Sequence, residues 1–228
     1  MDSMIQLTAG DGHSLDAYEV RPDGASSAIV IVQEIFGVNP HIRSLVDRYA
    51  ALGYHAVAPA LFDRVRKGVE LDYDAAGVTE GRELAGAIRF EPAMTDVAAA
   101  VEHASATGPV AVIGYCFGGS VAWLAACDLP IAAAVGYYGG QIRDHNDRTP
   151  KAPTMLHFGA LDHAIPLEAV AEITAAHPDV TVHVYDDAEH GFACDARASH
   201  HAESAALALE RTLAFLAEHD VTAGGAPA

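Results

Sequence analysis

Two apolar patterns alternate along this chain. Short apolar runs mark strands, and apolar residues three and four apart mark helices. Met4 to Thr8 and Leu15 to Arg21 read as the two strands of a hairpin, with Asp11-Gly12 at the turn. Ala28-Ile29-Val30-Ile31-Val32 is unbroken, as in a strand buried on both faces. Ile42, Leu45, Val46 and Tyr49 share one helical face, which Gly53 stops. His55 to Ala60 is another strand, ended by Pro59. Residues 62–90 are more polar and hold most of a long excursion with a weak helical pattern. Met94 to Ala106 is helical, with Val97 and Val101 inward.

The second half repeats the alternation. Val110 to Ile113 is a buried strand, and Ser120 to Ala126 is the helix after it. Ala132 to Tyr138 and Thr154 to Phe158 are strand-like, followed by a helix over about Leu167 to Ala176. Val180 to Tyr185 alternates as a strand. A last helix, about His201 to Glu218, places Ala205, Leu209, Leu213 and Leu216 on a core face. Strands alternating with helices predict right-handed βαβ units and an α/β fold, a mostly parallel sheet with helices on both faces. In such sheets chemistry sits at the carboxyl ends of the strands.

Composition narrows this further. A chain of 228 residues suits one domain. We expect that domain over residues 1–222, with 223–228 as a short flexible tail of Ala, Gly and Pro. At this size roughly 70–75% of the unfolded surface is buried on folding, so the core needs no metal or disulfide to hold it. A hydrophobic share of 51% with 19% charged residues excludes a disordered protein. Lys and Arg number 13 against 31 Asp and Glu, a net charge of −18. That surface repels phosphate backbones and anionic lipid, so neither nucleic acid nor membrane is an expected partner. The expected partner is a small molecule, and the chain is expected to be a monomer.

The three cysteines, 116, 127 and 194, are odd in number and form no C-x-x-C, which argues against a disulfide framework or zinc ribbon. A reducing, cytoplasmic setting fits them. Met1-Asp2-Ser3-Met4 lacks the basic and apolar regions of a signal peptide. Ala104 to Cys127 carries no charge, but Pro109, Gly114, Gly118 and Gly119 interrupt it. It reads as buried strand, tight turn and buried helix rather than a membrane span. No H-E-x-x-H, G-x-G-x-x-G or G-K-[ST] occurs, so neither metal nor nucleotide cofactor is expected.

The chemistry centres on Gly114-Tyr115-Cys116-Phe117-Gly118-Gly119, between a buried strand and a helix. This is a G-x-nucleophile-x-G turn with Cys in the place usually held by Ser. A turn this tight strains its central residue and projects it from the sheet edge, and the following helix N-terminus favours negative charge there. A thiol nucleophile needs a base, and the base needs an orienting group. Gly159-Ala160-Leu161-Asp162-His163 and Asp186-Asp187-Ala188-Glu189-His190-Gly191-Phe192 each follow a strand. Three strand ends thus offer Cys116, Asp162 and His190 to one cleft, in the order nucleophile, acid, histidine. Glu34 ends another buried strand and points to the same cleft.

These segments, with Val32-Gln33-Glu34-Ile35-Phe36-Gly37, resemble the dienelactone hydrolase family over nearly the whole chain. Its members are carboxymethylenebutenolidase-like enzymes with an α/β-hydrolase fold, and no separate lid domain is expected here. The resemblance implies a hydrolase of a small lactone or ester, with Cys116 as nucleophile, His190 as base and Asp162 as its orienter. It implies that Glu34 helps switch the thiol to thiolate when substrate binds, and that the N–H groups of Ile35 and Phe117 form the oxyanion hole. It makes Phe36, Arg82 and Arg197 candidates for substrate contact. Members of the family grip a substrate carboxylate with arginines, one of them four residues past the histidine. Here that position is Cys194, and Ala164 is small where some members carry an aromatic residue. Both departures predict a wider or less anionic pocket. The alternatives are a broad carboxylesterase or thioesterase of the same fold, and a non-catalytic ligand-binding module.

Overall fold

The computed structural model describes residues 2–225. The strands are β1 (Asp2–Thr8), β2 (Ser14–Val20), β3 (Ala28–Val32), β4 (His55–Pro59), β5 (Val110–Tyr115), β6 (Ala133–Tyr137), β7 (Thr154–Gly159) and β8 (Thr181–Tyr185). The helices are α1 (Pro40–Ala51), α2 (Ala75–Ile88), α3 (Phe90–Ser105), α4 (Phe117–Asp128), α5 (Leu167–Ala176) and α6 (Ala202–Glu218). The strands form one sheet in the order β1-β2-β4-β3-β5-β6-β7-β8. β2 pairs antiparallel with β1 and β4, and β4 through β8 in that order are parallel. The mostly parallel sheet is what the alternation predicts, and the α/β-hydrolase arrangement is what the resemblance implies.

β3 shows why the unbroken apolar run reads as a central strand. All five of its residues are buried, and alternate side chains enter different cores. Ile29 and Ile31 pack with Ile42, Leu45 and Tyr49 of α1 and Leu216 of α6. Val30 and Val32 pack with Val97 and Ala100 of α3 and Val121 of α4. Each such side chain contributes roughly 1.5–3 kcal/mol on burial, so a charge on either face of β3 would be costly.

The strand order reverses between β3 and β5. The chain leaves β3 toward β4 on one side and returns to β5 on the other. A crevice opens at such a switch point. Glu34 lies just beyond the end of β3, and Cys116 just beyond the neighbouring β5.

The excursion departs most from the sequence pattern. Its second half is a full helix, α2, capped by Asp74, whose Oδ1 accepts the Gly77 N–H at 2.7 Å. Gly77, Gly81 and Gly86 weaken its propensity, which is why the pattern looked faint. Packing holds it instead. A Cβ on Gly81 would stand 2.1 Å from the Ile35 carbonyl oxygen, so α2 lies directly on the loop after β3. α3 starts at Phe90, earlier than Met94, and α4 starts at Phe117 rather than Ser120. The uncharged stretch 104–127 forms β5, the tight turn and α4, and no helix among the described residues is long and apolar enough to cross a membrane. Of the expected tail, 226–228 lie outside the described residues, while Gly224 donates its N–H to the Gly53 carbonyl at 3.1 Å.

Candidate active site

Cys116 stands between β5 and α4 with φ 54° and ψ −114°. A non-glycine residue in this region costs about 1–3 kcal/mol, so the surroundings must enforce it. The Cys116 N–H donates to the Tyr137 carbonyl at 2.9 Å, and the Cys116 carbonyl accepts the Gly119 N–H at 2.9 Å. Gly118 supplies the room. A Cβ there would meet the Val32 carbonyl oxygen at 2.2 Å, so the turn closes against β3 only with glycine.

The thiol meets a histidine. Cys116 Sγ lies 3.2 Å from His190 Nε2, and His190 Nδ1 lies 2.7 Å from Asp162 Oδ2. Asp162 Oδ1 accepts the N–H groups of Ala164 and Ile165 at 2.8 and 3.2 Å, which fixes the carboxylate toward the ring. The Ser199 hydroxyl donates to the His190 carbonyl at 2.7 Å and holds the histidine loop. Burial opposes a charge on His190, but the hydrogen bonds and charges of Asp162 and Cys116 outweigh it and raise its pKa to about 10. The expected order of strand ends therefore brings these three residues together. Cys127 and Cys194 are buried, and burial pushes their thiols up to about 11 and about 12.

Glu34 is fully buried and doubly held. Tyr73 donates its hydroxyl to Oε2 at 2.8 Å, and Arg197 Nη1 donates to Oε1 at 3.3 Å. Burial, reinforced by the Glu34 charge, pushes the Tyr73 hydroxyl up and keeps it a donor. Burial lowers Arg197, and the charges of Glu34 and of Cys116, Tyr138 and Cys194 together more than reverse this. The guanidinium lies 5.7 Å from the Phe36 ring centre and 5.6 Å from that of Tyr73. Phe36 is itself buried beneath it. In this structure Glu34 is engaged by Tyr73 and Arg197, while the Cys116 thiol is engaged by His190.

A cavity of about 460 Å³ opens onto Cys116 and His190. Ile35, Phe36, Phe117, Arg82 and Arg197 also line it, with Val78 and Gln141. Phe117 opens α4, where the first N–H groups have no acceptor within the helix. Ala164 also lines the cavity. The expectation of a less anionic pocket meets a different geometry. Cys194 removes an arginine, but Arg197 reaches the cavity from three residues further along, and α2 brings Arg82. The lining carries these two cations and no acid.

Several residues of the site gave no sequence signal. Tyr73 lies in the excursion, and no spacing connects it with Glu34. Tyr138 follows β6 with φ 40°, and its ring centre is 5.1 Å from that of His190. The rule of strand carboxyl ends could have found it. His41, on α1, brings an imidazole nitrogen within 4.8 Å of a Glu34 oxygen and Cys194 Sγ, a set that a metal ion could use.

Comparisons with known proteins show the family of the chain. The profile of the dienelactone hydrolase family matches residues 15–220. Carboxymethylenebutenolidases of Pseudomonas putida and Pseudomonas knackmussii are each 37% identical over 224 residues, covering 93% of this chain and 95% of each relative. The solved structure of a candidate dienelactone hydrolase from Klebsiella pneumoniae superposes with a TM-score of 0.80 at 31% identity, covering 95% of this chain and 99% of that one. The chain is a hydrolase and belongs to the dienelactone hydrolase family.

Proposed function

We propose that this enzyme hydrolyses a small lactone or ester through an acyl-thioester on Cys116. The contact that carries this reading is Cys116 Sγ to His190 Nε2 at 3.2 Å, continued to Asp162 at 2.7 Å. His190 holds the proton of the Cys116 thiol as an imidazolium, and Sγ, as the thiolate, bonds to the substrate carbonyl carbon. The Asp162 carboxylate stabilises this imidazolium. The carbonyl oxygen takes the negative charge and rests on the N–H groups of Ile35 and Phe117. A donor of this kind is worth about 3–4 kcal/mol in related chemistry. The tetrahedral adduct collapses, the C–O bond breaks, and His190 protonates the departing oxygen. In a lactone that oxygen stays tethered to the acyl group. His190 then takes a proton from water, the resulting hydroxide attacks the thioester, and the acid leaves with the thiol restored.

The pocket favours a substrate that carries a carboxylate. Two guanidinium groups line the cavity; Arg197 is paired with the buried Glu34, so Arg82 supplies the local positive charge within an acidic protein. A substrate carboxylate arriving at Arg197 competes with Glu34 for the same guanidinium. Glu34 is then left buried with the Tyr73 hydroxyl as its remaining partner. The small side chain of Ala164 in the lining also supports a broader carboxylesterase or thioesterase range.

The test is a panel of matched lactones and esters, with and without a ring or chain carboxylate. Carboxylated substrates should show the higher kcat/KM, and Arg82→Ala should reduce that preference about tenfold, or about 1.4 kcal/mol. Neutral substrates turned over equally well, with Arg82→Ala silent, would remove the carboxylate from the proposal. No turnover of any lactone or ester would remove the proposal itself.

A further inference from the structure

A second cluster of chemically capable groups sits at the opposite end of the sheet. Glu19 is on β2, His55 opens β4, and His103 is in the last turn of α3. His55 Nε2 lies 2.7 Å and His103 Nε2 lies 2.6 Å from the same oxygen, Glu19 Oε1. The three ligand atoms lie within 4.8 Å of one another. From the juxtaposition of these two imidazoles and one carboxylate we infer that Glu19, His55 and His103 form a binding site for a divalent transition-metal ion of the zinc type.

The donor set fits that ion. Two histidine nitrogens and one carboxylate oxygen, with a fourth position left to water, are a familiar tetrahedral zinc arrangement. Bonds of about 2.0–2.1 Å place tetrahedral ligand atoms roughly 3.3 Å apart. The two contacts to Glu19, at 2.7 and 2.6 Å, are therefore about 0.6–0.7 Å short of that spacing, and a shift of the carboxylate away from both rings, with His103 moving outward, reaches it. His103 can make that shift, because its side chain is 38% exposed while His55 is 1% exposed. The exposed ring also gives the ion and its water an open approach.

The outer contact supports the same reading. His55 Nδ1 lies 2.7 Å from the Thr107 hydroxyl. Without metal, a neutral His55 donates its Nε2 proton to Glu19, and Thr107 donates to His55 Nδ1. With metal on Nε2, the His55 proton moves to Nδ1 and the same hydroxyl accepts it. A hydroxyl serves in both roles, and a ligating histidine characteristically donates its second N–H to such a group. The neutral His55 ring changes tautomer with no net release of protons. Arg21 adds an opposing charge nearby, but the Glu19 carboxylate is in direct contact with both rings.

The site is remote from hydrolysis. Ala28 pairs with both His55 and Val110, so the cluster lies level with the start of β5, while Cys116 follows its end. At roughly 3.3 Å per residue the two sites stand about 20 Å apart. Metal here would tie β2, β4 and α3 together and act on stability rather than turnover.

The experiment is calorimetric titration of chelator-treated full-length protein with zinc chloride, in a Cys116→Ala background so that the active-site thiol does not compete. One equivalent should bind saturably and raise Tm. His103→Gln keeps a donor to Glu19, and Glu19→Gln keeps the shape. Each should weaken zinc binding at least tenfold and abolish the rise in Tm, with an unchanged circular dichroism spectrum. Placed in the enzyme with Cys116 intact, His103→Gln should leave hydrolysis unchanged. Cobalt bound at this site should give a tetrahedral visible spectrum without a thiolate charge-transfer band. No saturable binding, binding indifferent to both substitutions, or a thiolate band marking the Cys194 cluster as the site would each overturn the inference.

Discussion

At the residue scale, reactivity separates one thiol from two. Cys127 and Cys194 are buried and their thiols are raised, whereas Cys116 faces the cavity with an imidazole 3.2 Å away. Iodoacetamide near neutral pH should alkylate Cys116 first, with activity lost in step, as peptide mapping would show. Faster labelling of Cys194 with activity intact would contradict the assignment. His190 sets the alkaline limit. Its raised pKa means the imidazolium persists at neutral pH and loses its proton as the pH rises through about 10. kcat/KM should fall over that range, with the apparent value belonging to the thiol–imidazole pair. Asp162→Asn removes a charge that favours the imidazolium, so this limb should move to lower pH and kcat should fall. An unmoved limb would point to another orienting acid. Cys116, Asp162 and His190 were legible because each follows a strand in a recognisable order. Tyr73, His41 and the Glu19–His55–His103 cluster were not, because their partners lie 36 to 154 residues away in sequence or carry no motif.

At the element scale, the strands were readable because central parallel strands are apolar on both faces, as the five buried residues of β3 show. α2 was not, because its stability comes from contact with Ile35 rather than from its own sequence. That difference can be measured. Ala for Gly in a helix gains up to about 1 kcal/mol, whereas forcing atoms into a packed contact costs about 1–3 kcal/mol. At Gly86 a Cβ meets nothing within 4 Å, so Gly86→Ala should raise Tm. At Gly81 it meets the Ile35 backbone at 2.1 Å, so the clash should win. Gly81→Ala should lower Tm and, by shifting Ile35, lower kcat. Thermal melts and steady-state rates of the two variants decide it. Equal stabilisation by both would mean that α2 does not brace the loop.

At the scale of the whole molecule, charge and topology divide the work. A net charge of −18 keeps the surface acidic, while the reversal of strand order opens a crevice whose lining holds two arginines. Overall charge was plain in the sequence. The local field was not, because Arg197 takes its place through the path of the loop after His190 rather than at a fixed spacing. The central claim is that Cys116 carries the acyl group during turnover. The direct measurement is rapid acid quench of the enzyme during turnover of an activated ester, followed by intact-mass and peptide mapping. A mass increase equal to the acyl group, located on the peptide containing Cys116 and absent in Cys116→Ala, is the expected result. Turnover with no acylated enzyme, even when His190→Ala is used to slow deacylation, or acylation of Cys194 instead, would contradict it.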